Sequence, residues 1–225
     1  MKPIVISLGG SIVVPDKIDY NFLKKFRALI LKHIKKGKRF ILICGGGATA
    51  RLYQKAASKV FKLNAEDLDW IGIHSTRLNA HLMRTIFEDI AHKRIIRNPT
   101  EKIKFNEKVL IAAGWKPGCS TDYDAVLLAR NFKANSVINL SNIRKAYTKD
   151  PKKYKTAKPI DKINWNDFRN IVGNTWIPGA NYPFDPVASK LAEKLKLKVA
   201  IMNGKNLKNL DNYLNKKKFI GTMIE

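Results

Sequence analysis

The chain alternates short, continuous runs of apolar residues with longer segments in which apolar residues recur every three or four positions. A continuous apolar run predicts a buried strand, and the three-to-four-residue spacing predicts a helix with one buried face. The strand-like runs occupy residues 4–8, 39–44, 109–113, 136–140, 198–202 and 219–224. Because these runs are uniformly apolar and alternate with helices, they favour a mainly parallel sheet that helices cover on both faces.

Capping residues mark where several of the predicted helices begin. Asp19 precedes a helix that ends at Gly37, Asn64 precedes a mostly helical segment that extends to about residue 90, and Asn164 precedes a short helix. Further helices are predicted around residues 187–195 and 207–214. The stretch 173–186, with three prolines and two glycines, predicts a loop.

Three of the predicted strands end on a glycine turn that leads on to a helix. These turns lie at residues 9–11, at residues 45–47, and at residues 114–121, where Ser120 or Thr121 opens the helix. Such a turn directs unpaired backbone N–H groups and the positive end of the helix dipole at one point, and glycine lets a ligand approach the backbone closely. Each turn therefore predicts an anion site, although an ordinary strand-to-helix turn is the alternative for any one of them alone.

Polar residues interrupt the apolar face of the predicted helix after Asn64. Asp69, Thr76, Arg77 and Asn79 lie there among apolar neighbours. Polar groups in such a setting require hydrogen-bond partners in the protein or in a ligand.

The composition is that of a globular protein, with 45% apolar and 9% aromatic residues among 225. No apolar run is long enough to span a membrane, and the first eight residues are too short for a signal peptide. Cys44 and Cys119 lie beside glycine turns and predict reduced thiols in a cytoplasmic protein. No cluster of Cys and His at ligand spacing predicts a structural zinc.

The charge is strongly positive, with 43 Lys and Arg against 18 Asp and Glu and a net charge of +25. This charge suits a surface that binds nucleic acid or a field that attracts small anionic substrates. The basic residues form short, scattered runs without an interleaved aromatic platform, which favours lysines spread over solvated helix faces instead.

Six motifs in order resemble the amino acid kinase superfamily and, within it, the uridylate (UMP) kinases. The motifs are GGS at 9–11, GGG-x-x-x-R at 45–51, D-x-I-G-x-x-x-T-R-x-N-A at 69–80, PG-x-S-T-D at 117–122, Y-x-x-D-P at 147–151 and F-D-P-x-A-x-K at 184–190. Each motif is weak alone, but their shared order and spacing make the resemblance specific.

The resemblance implies an α/β fold, a three-layer α/β/α sandwich with a mainly parallel central sheet. It implies a single domain over residues 1–225, with the UMP acceptor side in residues 1–120 and the ATP side in residues 121–225. The implied reaction transfers the γ-phosphoryl group of MgATP to UMP, giving UDP for pyrimidine nucleotide biosynthesis. The family is usually hexameric, which implies a cytoplasmic homohexamer.

The same resemblance assigns candidate residues to each part of the site. The groups implied to bind the UMP phosphate, the UMP ribose and the closing loop are Gly45, Gly46, Gly47, Arg51, Asp69, Ser120, Thr121 and Asp122. The groups implied to bind ATP are Gly9, Gly10, Ser11, Asn142, Tyr147 and Asp150. The implied catalytic groups are Gly10, Asp185 and Lys190, and Mg²⁺ accompanies ATP without an assigned protein ligand.

Two positions depart from the family pattern. Ser7 stands where many members carry lysine, and Lys190, one helical turn after Asp185, is the hypothetical substitute. Arg144-Lys145 stands where the family commonly has Asp-Gly in its nucleotide loop. This second change predicts altered ATP affinity, a different phosphate donor or weakened activity, and the sequence leaves the three open.

Two other functions remain compatible with these residues. The first is a kinase of the same fold that acts on a small acid such as carbamate, acetylglutamate or aspartate. The second is a non-catalytic protein that binds nucleotides or RNA, which the positive net charge and Arg144-Lys145 favour.

Overall fold

A computed structural model describes residues 2–175 and 182–225, and these form one seven-stranded sheet flanked by helices. The strands are β1 (Ile4–Leu8), β2 (Phe40–Cys44), β3 (Val109–Ala112), β4 (Ser136–Ser141), β5 (Lys162–Ile163), β6 (Lys198–Asn203) and β7 (Thr222–Ile224). Their order across the sheet is β3-β2-β1-β4-β6-β7-β5. All neighbouring strands are parallel except β6 and β7, which pair antiparallel.

Eight helices connect the strands among the described residues. They are α1 (Gly10–Val13), α2 (Tyr20–Lys35), α3 (Gly47–Val60), α4 (Ala65–Ile86), α5 (Thr121–Asn131), α6 (Trp165–Val172), α7 (Pro186–Lys194) and α8 (Leu207–Leu214). In the described part of the chain, no helix has the length and apolarity needed to cross a membrane.

The sheet separates two apolar cores because successive residues of a strand point to opposite faces. Ile6 and Leu42 pack with α2, α4 and α8 in one core, whereas Val5 and Ile43 pack with α5, α6 and α7 in the other. The predicted three-layer sandwich with a mainly parallel sheet is therefore confirmed.

The predicted caps lie where the helices begin. Asp19, Asn64, Ser120 and Asn164 each accept a hydrogen bond from a backbone N–H in the first turn of the following helix. The short elements α1 and β5 were not predicted. Residues 176–181, within the stretch 173–186 predicted as a loop, lie outside the described residues.

The direction of the strands brings the predicted anion sites to one edge of the sheet. Because β1, β2, β3, β4 and β6 are parallel, the turns that follow them all lie at the carboxyl edge. The strand order reverses between β1 and β4, and ligands of open α/β sheets bind in the crevice at such a point. The glycine turns after β1 and β2 lie beside this crevice.

Candidate active site

The glycine turns after β1 and β2 contact each other backbone to backbone. A Cβ atom placed on Gly10 would lie 2.0 Å from the Gly47 nitrogen, and one placed on Gly45 would lie 2.5 Å from the Gly10 nitrogen. Gly47 also has a φ of +64°, which L side chains rarely adopt. Only glycine fits at these positions, so the two turns form one continuous backbone surface.

This surface carries unpaired hydrogen-bond donors. The amide N–H groups of Gly10, Ser11, Gly46 and Gly47 have no partner among the described residues, whereas Gly9 N–H donates to Leu140 O over 2.8 Å. Gly10 and Gly47 are also the first residues of α1 and α3. Unpaired amides at helix starts are suited to an anion, so the Gly9–Gly10–Ser11 turn and the Gly45–Gly46–Gly47 turn together present one donor surface, and their predicted contacts with nucleotide phosphates stay predictions.

Two polar residues of α4 hold the glycine turns in position. Asn79 Nδ2 donates to Gly45 O over 2.8 Å and to Gly46 O over 3.0 Å. Thr76 Oγ1 accepts from Gly114 N–H over 2.8 Å and donates to Ile73 O. The sequence indicated that Asn79 and Thr76 need hydrogen-bond partners. The backbone of the site supplies them.

Asp69 and Arg77 of α4 fasten the loop between β3 and α5. Asp69 Oδ2 accepts the Gly118 N–H over 2.8 Å, and an Arg77 Nη atom donates to Trp115 O over 3.1 Å. The structure therefore gives Asp69 a role in shaping the loop, and its predicted contact with the UMP ribose stays a prediction.

Asp122, in the first turn of α5, lies against strands β1 and β4. Its carboxylate accepts from Ser7 Oγ over 3.0 Å and from Asn139 Nδ2 over 3.2 Å. Burial raises the pKa of Asp122 to about 6, while the Ser7 hydroxyl opposes this shift and the nearby Asp185 carboxylate adds to it. Ser7 thus replaces the expected lysine with a neutral partner for Asp122.

Asp185 links the starts of α7 and α5. It caps α7 by accepting the Ala188 N–H over 2.7 Å, and the Ser120 side chain also donates a hydrogen bond to it. Burial raises the pKa of Asp185 against these two hydrogen bonds. Lys190 is exposed on the same helix.

Asp124 is a buried carboxylate that the sequence analysis missed. It is 0% exposed, its Oδ2 accepts the Trp115 N–H over 3.1 Å, and its Oδ1 has no partner among the described residues. Burial raises its pKa to about 7, opposed by the Trp115 N–H and reinforced by Asp122 and Asp185. The sequence did contain a signal for this carboxylate, namely an acidic residue in the first turn of an apolar helix, two residues after Asp122.

Arg51 lies on the exposed face of α3, one turn after the glycine cradle. Its Nη2 donates to Pro15 O over 2.9 Å, and no carboxylate pairs with it among the described residues. Its predicted contact with the UMP phosphate stays a prediction, as does the predicted contact of Thr121, the first residue of α5, with the nucleotide.

In the described part of the chain, no hydrogen bond joins the predicted ATP residues beyond β4 to one another. Asn142 is exposed directly after β4, Tyr147 forms a bridge with Pro159, and Asp150 accepts the Lys152 N–H. A cavity of about 440 Å³ lies nearby but is lined by other residues, namely Arg144, Asn203, Lys205, Asn206, Asn209 and Ile220. Gly204 follows an apolar strand, which is a further instance of the strand–glycine pattern. It was the signal in the sequence that could have indicated this cavity.

Arg144 and Lys145, which stand where Asp-Gly was expected, have different surroundings in the structure. Arg144 lines the cavity, whereas Lys145 forms an ion pair with Asp161. Of these two residues, only Arg144 is therefore placed to contact a ligand bound in this cavity.

The fold and the site together define the class of α/β proteins that place phosphate-binding turns at the carboxyl edge of a parallel sheet. Comparison with known proteins identifies the family within this class. The profile of the amino acid kinase family matches residues 2–203. The chain therefore belongs to the amino acid kinase family.

Individual relatives agree over the full length of the chain. A uridylate kinase of Sulfurisphaera tokodaii is 33% identical over 226 residues, covering 99% of this chain and 98% of that protein. A uridylate kinase of Pyrococcus abyssi is 32% identical over 225 residues, with 99% of each chain covered. The crystal structure of uridylate kinase from Archaeoglobus fulgidus is 30% identical, covers all of both chains and superposes with a TM-score of 0.83. The resemblance predicted from the six motifs is confirmed.

Proposed function

We propose that this protein is a UMP kinase that transfers the γ-phosphoryl group of ATP to UMP. The observation that carries the proposal is the pair of glycine turns, whose unpaired amides form one surface at the carboxyl edge of the sheet. Phosphoryl transfer needs two polyanions held in line and little covalent chemistry from the protein. The uridylate kinase relatives, similar over the whole chain, support UMP as the acceptor.

The acceptor side is assigned to the first half of the chain, about residues 1–120. The amides of Gly46 and Gly47 bind the UMP phosphate together with Arg51, whose planar guanidinium can bond two phosphate oxygens. Asp69, held by the Gly118 N–H, contacts the ribose. Ser120, Thr121 and Asp122 then border the nucleotide.

The donor side is assigned to the second half, about residues 121–225, together with the Gly9–Gly10–Ser11 turn. The amides of Gly10 and Ser11 orient the transferring phosphoryl group. Asp185, hydrogen-bonded to α7 and to Ser120, holds the starts of α5 and α7 against each other beside this group. Ser7 provides no positive charge at this group, and Lys190 is the candidate cation that takes the place of the usual lysine. Asn142, Tyr147 and Asp150 remain candidates for contacts with ATP.

Magnesium is proposed as part of the substrate MgATP. Within residues 2–175 and 182–225, no group of three His, Cys, Asp or Glu side chains is arranged to hold a metal ion. A Mg²⁺ ion bound through nucleotide phosphates requires only one or two carboxylates. It supplies positive charge to the phosphate oxygens, while the protein supplies the amide donors and the alignment.

An ADP-release assay with UMP, CMP, carbamate and acetylglutamate tests the proposal. We expect turnover with UMP to exceed that with both small acids. The variant Arg51→Gln should raise the KM for UMP roughly 10- to 100-fold, since a hydrogen bond between charged groups contributes about 1.5–3 kcal/mol.

The matched control for Arg51 is Lys55→Gln, one turn further along the exposed face of α3. It removes the same charge and should leave the KM for UMP unchanged. Turnover with a small acid but not with UMP would refute the assignment, and so would equal effects of the two variants.

We also propose that the protein assembles with copies of itself, as a hexamer by resemblance, in the cytoplasm. The face formed by α3 and α4 exposes Leu52 (62%), Val60 (88%), Phe61 (71%) and Leu78 (63%). Large apolar side chains exposed on two helices that pack against each other suit an interaction site. In addition, α3 carries basic residues and the first turn of α4 carries acidic residues, so these helices can form ion pairs with those of a second copy.

Sedimentation of the variant Leu52→Asp/Val60→Asp tests this assembly. Wild-type protein should sediment as an oligomer and the variant as a smaller species. The control Tyr20→Asp changes an equally exposed side chain (72%) outside this face and should sediment like wild type. A monomeric wild type would refute the assembly.

A further inference from the structure

The cavity beyond β4 and β6 lies at the same edge of the sheet as the glycine cradle. Gly204 N–H donates to Ser141 O over 2.9 Å, and Gly9 N–H donates to Leu140 O over 2.8 Å, so the ends of β1, β4 and β6 adjoin. The cavity has a volume of about 440 Å³, within the range that holds a small ligand.

Each side-chain amide oxygen in the lining already accepts a hydrogen bond from the backbone. Asn203 Oδ1 accepts the Lys205 N–H over 2.9 Å, and Asn206 Oδ1 accepts the Asn209 N–H over 3.0 Å. Asn209 uses both ends of its amide on the backbone of Ile220.

Three backbone carbonyls of the lining residues also accept hydrogen bonds. The carbonyl of Asn203 accepts from Asn206 N–H, that of Lys205 from Leu207 N–H, and that of Asn206 from Leu210 N–H. A ligand group that donates hydrogen bonds, such as the amino group of adenine, therefore finds few free acceptors here.

The unpaired polar side-chain groups of the lining are all donors, and two of the lining side chains are cationic. Asn203 Nδ2, Asn206 Nδ2 and the Arg144 guanidinium have no hydrogen-bond partner among the described residues. Lys205 Nζ lies 4.0 Å from Asp19 Oδ2, at the limit of an ion pair, and its side chain is 53% exposed. Unpaired side-chain donors together with two cations suit an anion with several acceptor oxygens.

We propose that this cavity is a phosphate subsite in which Arg144 and Lys205 bind phosphoryl oxygens with the amides of Asn203 and Asn206. The phosphate belongs either to the tail of the donor nucleotide or to a separate phosphorylated compound. The first source rests on the proposed kinase function, whereas the second does not. In both cases the Arg144 that departs from the family pattern is a ligand-binding residue, and its neighbour Lys145 is not.

Calorimetric titration with inorganic tripolyphosphate tests the subsite. The double variant Arg144→Gln/Lys205→Gln keeps amide donors but removes both cations, and we expect it to lose about tenfold or more in affinity at low salt. The control Lys145→Gln/Lys208→Gln removes the same charge from positions outside the lining and should bind like wild type. Thermal unfolding of all three proteins checks that the substitutions leave the fold intact.

The source of the phosphate is distinguished by repeating the titration with UMP and a non-hydrolysable ATP analogue bound. If the donor nucleotide fills the cavity, tripolyphosphate no longer binds there, and the double variant raises the KM for ATP but not that for UMP. If a separate compound fills it, tripolyphosphate still binds the wild type and both KM values stay unchanged in the double variant.

The subsite is overturned if tripolyphosphate binds the cavity variant and the control variant equally, or if wild-type protein binds none. Absence of turnover with UMP in wild-type protein would instead overturn the proposed function and leave the tripolyphosphate result standing. The two failures are therefore distinguishable.

Discussion

At the scale of single residues, Asn79 shows how a polar side chain inside a helix can shape a distant loop. Its Nδ2 is 2.8–3.0 Å from two carbonyl oxygens of the glycine turn after β2, and the residue is 3% exposed. We predict that Asn79→Asp, which replaces this donor by acceptors, lowers the free energy of unfolding by about 2 kcal/mol or more. It should also raise the KM for UMP on the order of tenfold, measured beside urea unfolding.

Asn131 provides a matched control for this prediction. Its Nδ2 also donates to two carbonyl oxygens, those of Pro99 and Glu101, but far along the chain from the glycine turns. Asn131→Asp should destabilise the protein and leave the KM for UMP unchanged. An equal change of KM in both variants would show that Asn79 acts only through general stability.

The buried Asp124 predicts a specific dependence of stability on pH. Its pKa is raised to about 7 in the folded state from 3.8, so between these values the folded protein binds more protons than the unfolded chain. The contribution of Asp124 to the free energy of unfolding therefore falls as pH rises from about 4 to about 7, and it is constant above that. Asp124→Asn removes this contribution.

Urea unfolding at pH 5 and pH 8 measures the effect. Relative to wild type, Asp124→Asn should be more stable at pH 8 than at pH 5, by up to about 3 kcal/mol, since about two pH units separate pH 5 from the folded pKa of about 7 and each corresponds to about 1.4 kcal/mol. Asp16→Asn, at an exposed carboxylate, serves as the control and should show the same difference from wild type at both pH values. A pH-independent effect of Asp124→Asn would contradict the assignment.

At the scale of elements, the contact between the turns after β1 and β2 leaves no room for a side chain. A Cβ atom on Gly10 would meet the Gly47 nitrogen at 2.0 Å and its Cα at 2.6 Å, so Gly10→Ala must push the turns apart. We predict a hundredfold or larger loss of kcat/KM, because a displacement of about 1 Å in a phosphoryl-transfer site costs roughly that much. The free energy of unfolding should also fall by about 1–3 kcal/mol.

Gly173 separates this steric effect from backbone strain. It has a φ of +79° and open space around its Cα, so Gly173→Ala introduces strain without a clash. It should cost about 1–2 kcal/mol of stability and leave kcat/KM at the wild-type value. Equal loss of kcat/KM in the two variants would refute the steric explanation.

The elements that the sequence predicted correctly are those with strong local signals. Uniformly apolar runs and capping residues such as Asp19 and Asn164 act within a few positions, so the strands and most helix starts were predictable. The helix α1 was not, because its four residues begin with glycine and include two β-branched side chains. Its Ile12 and Val13 are instead fixed by burial against the sheet.

The candidate site was predictable from the sequence only where the residues that meet in it belong to the same motif. The glycine turns are visible as motifs, but the cavity joins Arg144 after β4 to Asn203 at the end of β6, about sixty residues apart. Only the pairing of β4 with β6 brings them together. Likewise, Ser7 and Asp122 meet because α5 packs beneath β1, which no local pattern shows.

At the scale of the whole molecule, the net charge of +25 opposes folding, because like charges repel most in the compact state. Some lysines are compensated by acids: Lys32 pairs with Asp211 over 2.7 Å, and Lys198 pairs with Glu225. Other lysines, such as Lys149, Lys152 and Lys153, are exposed and form no ion pair with the described residues. Repulsion among the second group is unrelieved at low salt.

We therefore predict that the melting temperature rises by about 2–4 °C between 50 and 300 mM NaCl, as salt screens this repulsion. The variant Lys149→Gln/Lys152→Gln/Lys153→Gln should be at least as stable as wild type at 50 mM NaCl and should gain less from added salt. The control Lys32→Gln/Lys145→Gln/Lys198→Gln removes the same charge but breaks attractive pairs, so it should melt below wild type at 50 mM NaCl. Scanning calorimetry that finds the first variant destabilised at low salt would show that its lysines contribute attractive contacts and that repulsion does not dominate this surface.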